Sequence, residues 1–192
     1  MFQLRHIPNL ITVIRILLVV PTAIALAHQQ LMTTLMLFAL AAASDVVDGF
    51  LARYFKWQSA LGSILDPIAD KLLLATMFIT LALLKMVPLW LMSASVLRDV
   101  IIVSGAAAYR FFIGPVSAQP SRVSKFNTLC QGAFVLVVVA SAAFDWPPPW
   151  VSMGLGALAF VTIAISGADY VLTYGRLAAR NAGSRTATAG QS

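Results

Sequence analysis

Six apolar runs, at roughly 9–28, 32–53, 62–84, 88–109, 126–145 and 150–172, set what this chain of 192 residues can fold into. Each is close to or above the ~20 residues that an α-helix needs to cross the hydrocarbon layer of a bilayer. With 60% hydrophobic and only 10% charged residues, the composition is that of an integral membrane protein and leaves no room for a separate soluble domain. The expected fold is all-α, one membrane bundle of six transmembrane helices within residues 1–180. A short interfacial helix is expected over Met1 to Pro8, where Phe2, Leu4 and Ile7 are mixed with Gln3, Arg5 and His6. Residues 181–192, rich in Gly, Ser, Thr and Ala, read as a disordered cytoplasmic tail. The first apolar run continues through Arg15 without a small-residue cleavage site, so no cleavable signal peptide is expected. The lone Cys130 lies in an apolar run and is expected to pack there.

The links between the runs fix an orientation. Arg5, Arg53, Lys56, Arg110, Arg122, Lys125, Arg176, Arg180 and Arg185 fall at the two termini and in the even-to-odd links, and the other side has only Lys85. The positive-inside rule then predicts cytoplasmic termini, with the bacterial inner (plasma) membrane as the expected location. The net charge of +6 lies between apolar runs, which points to lipid headgroups and phosphate-bearing substrates rather than nucleic acid. The run Asp145-Trp146-Pro147-Pro148-Pro149-Trp150 reads as a rigid turn with Trp at the interface.

Against this apolar background stand two pairs of aspartates, Asp45 and Asp48 late in the second run and Asp66 and Asp70 early in the third. Spacings of three and four put each pair on one helix face. The short link makes the two helices antiparallel neighbours, so both pairs lie at a similar depth near the cytoplasmic end. Ionisable groups inside a membrane are costly and usually functional. Four carboxylates together require protonation or neutralising cations. Hard oxygen donors suit Mg²⁺ or Mn²⁺, and four negative charges match two such ions, the arrangement used for displacement at phosphorus. Gly49, Ala52 and Gly62 let a bulky ligand approach the backbone, and Arg53 offers a guanidinium fork to phosphate. The bland alternative is a structural network pairing the aspartates with Arg15, Arg53, Lys71 and Arg98, which gives no reason for paired carboxylates around small residues.

These residues resemble the signature of the CDP-alcohol phosphotransferase (CDP-alcohol phosphatidyltransferase) family, matched at Asp45, Asp48, Gly49, Ala52, Arg53, Gly62, Asp66 and Asp70 without gap or substitution. The resemblance implies that the four aspartates hold two metal ions and that Gly49, Ala52, Arg53 and Gly62 line the CDP site. Asp70, beside Asp66 at the catalytic centre, would be the general base for the acceptor hydroxyl, which attacks the lipid-linked phosphorus and expels CMP. The opening His6-Ile7-Pro8-Asn9-Leu10-Ile11-Thr12-Val13-Ile14-Arg15 is similar to the phosphatidyl-transferring branch, whose members use CDP-diacylglycerol. Asn9, Thr12 and Arg15 share a helix face. That face either reaches the nucleotide or phosphate, or is a helix cap plus a snorkelling Arg. A homodimer is likewise implied by the family alone.

The acceptor must be read from the second half. Phosphatidylglycerophosphate synthases, whose acceptor is glycerol-3-phosphate, typically carry Arg-Glu, Ser-Gly-Leu-Arg and Gly-Lys-x-Lys-Thr runs. Here stand Arg98-Asp99, Ser104-Gly105-Ala106-Ala107 and Ser124-Lys125-Phe126-Asn127-Thr128, so Ala107 and Asn127 replace two expected cations. Arg110 and Arg122 are near enough to compensate. The stretch looks more like the CMP-forming cardiolipin synthases, whose acceptor, phosphatidylglycerol, carries one phosphodiester charge. Arg15, Arg98, Arg110, Arg122, Lys125 and Asn127 are the candidate contacts to acceptor or phosphate; Arg98-Asp99 also reads as a paired structural charge. A membrane transporter with a carboxylate-lined site is the distant alternative, and it would place that site near the midplane between inverted repeats.

Overall fold

The computed structural model describes residues 7–55, 62–112 and 122–189, with side chains described over most of that range. Six α-helices account for it: α1 (Ile7–Ala27), α2 (Leu31–Tyr54), α3 (Gly62–Leu83), α4 (Leu89–Phe112), α5 (Arg122–Phe144) and α6 (Pro149–Ala189). No strand occurs among the described residues. The expected all-helical bundle is what forms. The interfacial helix expected over Met1 to Pro8 lies mostly outside the described residues, which begin with α1 at Ile7.

The first five helices have 21 to 24 residues, which is about 31–36 Å at the α-helical rise and enough to cross a bilayer core. Among the described residues, Leu10–Ala27, Val123–Phe144 and Pro149–Thr173 are both long and apolar enough to cross, and Leu31–Asp45 is a shorter apolar stretch. Within their apolar runs α3 carries Asp66, Asp70 and Lys71, and α4 carries Arg98 and Asp99. α6 runs 41 residues to Ala189, well past position 172. Its helical backbone therefore continues into the segment that composition reads as a tail.

α1 packs against α2 and α3, α5 against α6 and α2, and α4 against α6 and α3. The apolar core lies at one end of the bundle. Leu26 ends α1, Met77, Phe78 and Leu81 fill the second half of α3, Leu91 begins α4, and Val135 and Val139 lie in the second half of α5. Lipid tails are as apolar as these side chains, so close packing rather than escape from water holds this end together. The outer faces remain apolar: Leu17, Leu83, Leu129 and Met153 are all more than two-thirds exposed, as suits surfaces meeting lipid. Trp90, Trp146 and Trp150 are exposed at the core end, where an aromatic belt is expected.

The turns at that end are tight. After α1, the amide of Gln30 donates to the carbonyl of Ala25 and that of Gln29 to Leu26; after α3, Met86 donates to Leu81 and Lys85 to Ala82. Both are the paired bonds that close a helix with one left-handed residue, here Gln29 (φ 57°) and Lys85 (φ 59°). Ser141 Oγ donates to the carbonyl of Pro147 at 2.9 Å, folding the proline turn onto α5. Short turns keep α1–α2, α3–α4 and α5–α6 antiparallel and leave the polar side chains to gather at the other end.

Candidate active site

At that other end, α1 lies in the crease between α2 and α3. Thr12 and Arg15, one helical turn apart, are both fully buried. Thr12 Oγ1 donates to Asp66 Oδ1 at 2.5 Å. One nitrogen of Arg15, Nη1, donates to Asp45 Oδ1 at 2.8 Å and to Asp70 Oδ1 at 3.1 Å. An aspartate of each pair does reach a shared point, a guanidinium on α1; α1 packs against both α2 and α3, so the two helices expected to be direct neighbours meet through it. Arg15 does not snorkel; it is an internal counter-ion, as the structural-network alternative has it. Asp45 and Asp70 keep 42% and 31% of their side-chain surface exposed, so the carboxylates stay open to a ligand although the arginine is sealed.

The sequence places Asp48 one turn after Asp45 and Gly49, Ala52 and Arg53 just beyond, all on the backbone of α2, and Gly62 opens α3. The side chains at 48, 52 and 53, and the surroundings of Gly49 and Gly62, lie outside the described residues, as does the side chain of Asn9. Among the described residues, which leave out the side chain of Asp48, no group of three or more carboxylate, imidazole or thiolate side chains forms a metal-ligand set; Asp66 turns to Thr12 while Asp45 and Asp70 meet on Arg15. The donor chemistry nonetheless suits a divalent cation. The three described carboxylates, Asp45, Asp66 and Asp70, all offer hard oxygens.

A second polar cluster forms behind the first. Lys71, next to Asp70 in the chain, points to α4, where its Nζ donates to Asp99 Oδ1 at 3.0 Å. Arg98 Nη1 donates to the same oxygen at 2.6 Å. Arg98 Nη2 donates to Ser124 Oγ on α5 at 2.7 Å and also to Ser166 Oγ on α6. Arg98 is thus both the paired structural charge that Arg98-Asp99 suggests and the tie between α4, α5 and α6. Of the other candidate acceptor contacts, Lys125 is exposed, while Asn127 is fully buried and accepts a bond from Thr162 Oγ1 at 2.9 Å. Arg110 and Arg122 have described backbone but side chains outside the described residues. Ser124 lies in the run already read as a motif, whereas Ser166 escapes a reading by motif. The available signal was the four-residue spacing of Thr162 and Ser166, which puts two hydroxyls on one inward face of an apolar helix.

Residues 5–165 match the model of the family described as CDP-alcohol phosphatidyltransferase. The chain is 31% identical over 186 residues to the cardiolipin synthase (CMP-forming) of Rattus norvegicus, an overlap of 88% of this chain and 61% of the rat protein. It is 30% identical to a cardiolipin synthase (CMP-forming)/mitochondrial hydrolase fusion protein of Schizosaccharomyces pombe, covering 87% of this chain and 31% of that one. It is also 33% identical to the CDP-diacylglycerol–glycerol-3-phosphate 3-phosphatidyltransferase of Pseudomonas fluorescens, over 83% of this chain and 82% of the relative. The chain therefore spans less than two thirds of the length of the cardiolipin synthases it matches.

Proposed function

The chain belongs to the CDP-alcohol phosphatidyltransferase family, and we propose that it transfers a phosphatidyl group from CDP-diacylglycerol to the hydroxyl of phosphatidylglycerol, releasing CMP and forming cardiolipin. The observation that carries the reaction class is the meeting of Asp45 and Asp70 on Arg15, with Asp66 alongside on Thr12, at one end of a membrane bundle. At that end a nucleotide head can enter from water while its acyl chains stay in lipid. With the positive-inside pattern, this end faces the cytoplasm of a bacterial inner membrane. Residues 1–180 form the catalytic domain, residues 181–192 a cytoplasmic tail, and the working unit is a homodimer, as the family implies.

The family is generally dependent on divalent metal ions. Asp45, Asp48, Asp66 and Asp70 would hold two, Mg²⁺ or Mn²⁺, which offset charge on the pyrophosphate oxygens when bound. Gly49, Ala52, Arg53, Gly62 and Asn9 border the CDP moiety, and Thr12 orients Asp66 there. Asp70 takes the proton from the acceptor hydroxyl. That oxygen forms the new bond to the lipid-linked phosphorus as the bond to CMP breaks. Arg15 holds Asp45 and Asp70 in register across α2 and α3.

For the acceptor, the second cluster is the guide. Lys71 and Arg98 share the single carboxylate of Asp99, leaving one positive charge in excess, which matches a phosphodiester better than a phosphate dianion. The glycerol-3-phosphate reading keeps specific support in relatives such as that of Pseudomonas fluorescens, which the chain overlaps over 82% of its length. Purified protein given CDP-diacylglycerol and Mg²⁺, with either phosphatidylglycerol or glycerol-3-phosphate, separates them. CMP release with phosphatidylglycerol is expected, and release only with glycerol-3-phosphate transfers the assignment. EDTA should stop turnover and Mn²⁺ or Mg²⁺ should restore it; full activity in EDTA refutes the metal chemistry.

A further inference from the structure

Thr12 and Arg15 both reach from α1 to the aspartates, but only one of them brings charge. Thr12 Oγ1 meets Asp66 Oδ1 as a neutral donor. Arg15 Nη1 meets Asp45 Oδ1 at 2.8 Å and Asp70 Oδ1 at 3.1 Å, so two of the four carboxylates proposed as metal ligands already share a cation. That cation is permanent, because a guanidinium does not deprotonate in proteins. It is also poorly screened: Arg15 is fully buried, whereas Asp45 and Asp70 are partly exposed. The open side of these carboxylates thus has a fixed positive charge behind it.

This placement has two opposed effects on a divalent cation. By gripping one oxygen of each carboxylate, Arg15 orders the ligands, and outer contacts of this kind are worth about 10–100-fold in metal affinity. By its charge, it repels the metal. At an effective dielectric of about 20, two unit charges about 4 Å apart shift an equilibrium by several hundred-fold, and the metal carries twice that charge, so repulsion outweighs ordering. We infer that Arg15 is a built-in competitor for the divalent cation, lowering the metal affinity of the aspartate site while holding that site together. The inference rests on the reading of the aspartates as metal ligands. A counter-ion carried by the chain keeps α1, α2 and α3 joined whether or not metal is bound, and it keeps the metal exchangeable.

The test uses the full chain in neutral detergent, stripped with EDTA, dialysed and titrated with Mn²⁺, whose free fraction is read by its EPR signal. Denaturant unfolding is followed in the same samples. Arg15→Gln keeps a hydrogen-bond donor and removes the charge. It should bind Mn²⁺ at least about tenfold more tightly than the unchanged chain, and yet unfold at lower denaturant when no Mn²⁺ is added. A purely structural arginine would move both readouts the same way, because a loosened site binds less metal. Arg15→Lys, which keeps the charge, should bind Mn²⁺ much as the unchanged chain does. Thr12→Val, which releases Asp66 without removing charge, should gain no affinity. Arg15→Met carries the same test should Arg15→Gln fail to fold. Weaker Mn²⁺ binding on removal of the charge, or an equal gain in Thr12→Val, overturns the proposal. Equal binding with and without the charge sinks the competitor and leaves the metal reading standing, whereas no Mn²⁺ binding by any of these chains sinks both.

Discussion

Two buried arginines organise the two halves of this bundle, and they do so with opposite charge balances. Arg15 on α1 ties α2 and α3 through carboxylates, Asp45 and Asp70. Arg98 on α4 ties α5 and α6 through hydroxyls, Ser124 and Ser166, and shares Asp99 with Lys71. Among the described side chains, the first cluster gathers carboxylates around one guanidinium, and the second gathers two cations on one carboxylate. A buried charge holds helices together only if its partners compensate it, and the two arginines meet that demand with different partners. Asp70 and Lys71, consecutive on α3, face the two clusters and join them. A phosphatidyl transfer that brings a metal-neutralised pyrophosphate to an anionic lipid needs both balances side by side.

The largest effect should fall on chemistry in the first cluster. Asp70→Asn keeps an oxygen for Arg15 but cannot take a proton. CMP release should drop by about 10²–10⁴-fold, the span of general-base contributions, with unfolding in detergent little changed. Turnover at the normal rate would remove Asp70 from the proton transfer and leave it a structural partner of Arg15, erasing the functional difference between the clusters.

The arginines themselves give the next contrast. Arg15→Met leaves Asp45 and Asp70 without this shared counter-ion. Breaking a buried pair in this way costs about 3–5 kcal/mol, reduced here by the partial exposure of both carboxylates. Arg98→Met leaves Asp99 still paired with Lys71 and loses mainly two hydroxyl bonds, about 1–3 kcal/mol. Unfolding of the two variants by denaturant in matched detergent compares them directly. Equal losses would mean that Arg98 is no less an obligatory counter-ion than Arg15, and the asymmetry argued from the partners would fail.

How much of this was legible in the sequence follows from what one dimension can encode. Apolar length and turn chemistry show six helices, because membrane thickness sets the run length directly. The aspartate pairs show a site, because charge inside an apolar run demands a reason. The sequence offered Arg15, Arg53, Lys71 and Arg98 as possible partners, but not which aspartate each would meet. Asn9, Thr12 and Arg15 share a face by spacing, but whether that face meets nucleotide, phosphate or carboxylate depends on how α1 docks between α2 and α3. Ser166 was hidden for a related reason: a serine in an apolar helix is ordinary until its neighbour is known to be Arg98. Gln29 and Lys85 close helices in a left-handed conformation usually signalled by Gly, so the tight turns after α1 and α3 carried no sequence mark. Helical continuation to Ala189 opposes a composition of Gly, Ser and Thr, which weakly favours any one conformation.

The smallest and sharpest contrast lies in single hydroxyls. Thr12 donates to the carboxylate of Asp66, whereas Ser166 accepts from the guanidinium of Arg98. Thr12→Val removes a bond to a charged acceptor, worth about 1.5–3 kcal/mol. Ser166→Ala removes an acceptor from a nitrogen that Ser124 also serves, so its cost should stay near the ~0.6 kcal/mol typical of hydrogen bonds between membrane helices. Both changes nearly conserve shape, which keeps packing out of the comparison. Denaturant unfolding should therefore rank Thr12→Val well above Ser166→Ala, while CMP release should fall only in Thr12→Val, because Asp66 alone of the two partners belongs to the proposed metal set. A reversed order would mean that the hydroxyls around Arg98, rather than the carboxylates around Arg15, set the geometry of the site end. The catalytic and structural roles assigned to the two arginine clusters would then have to be exchanged.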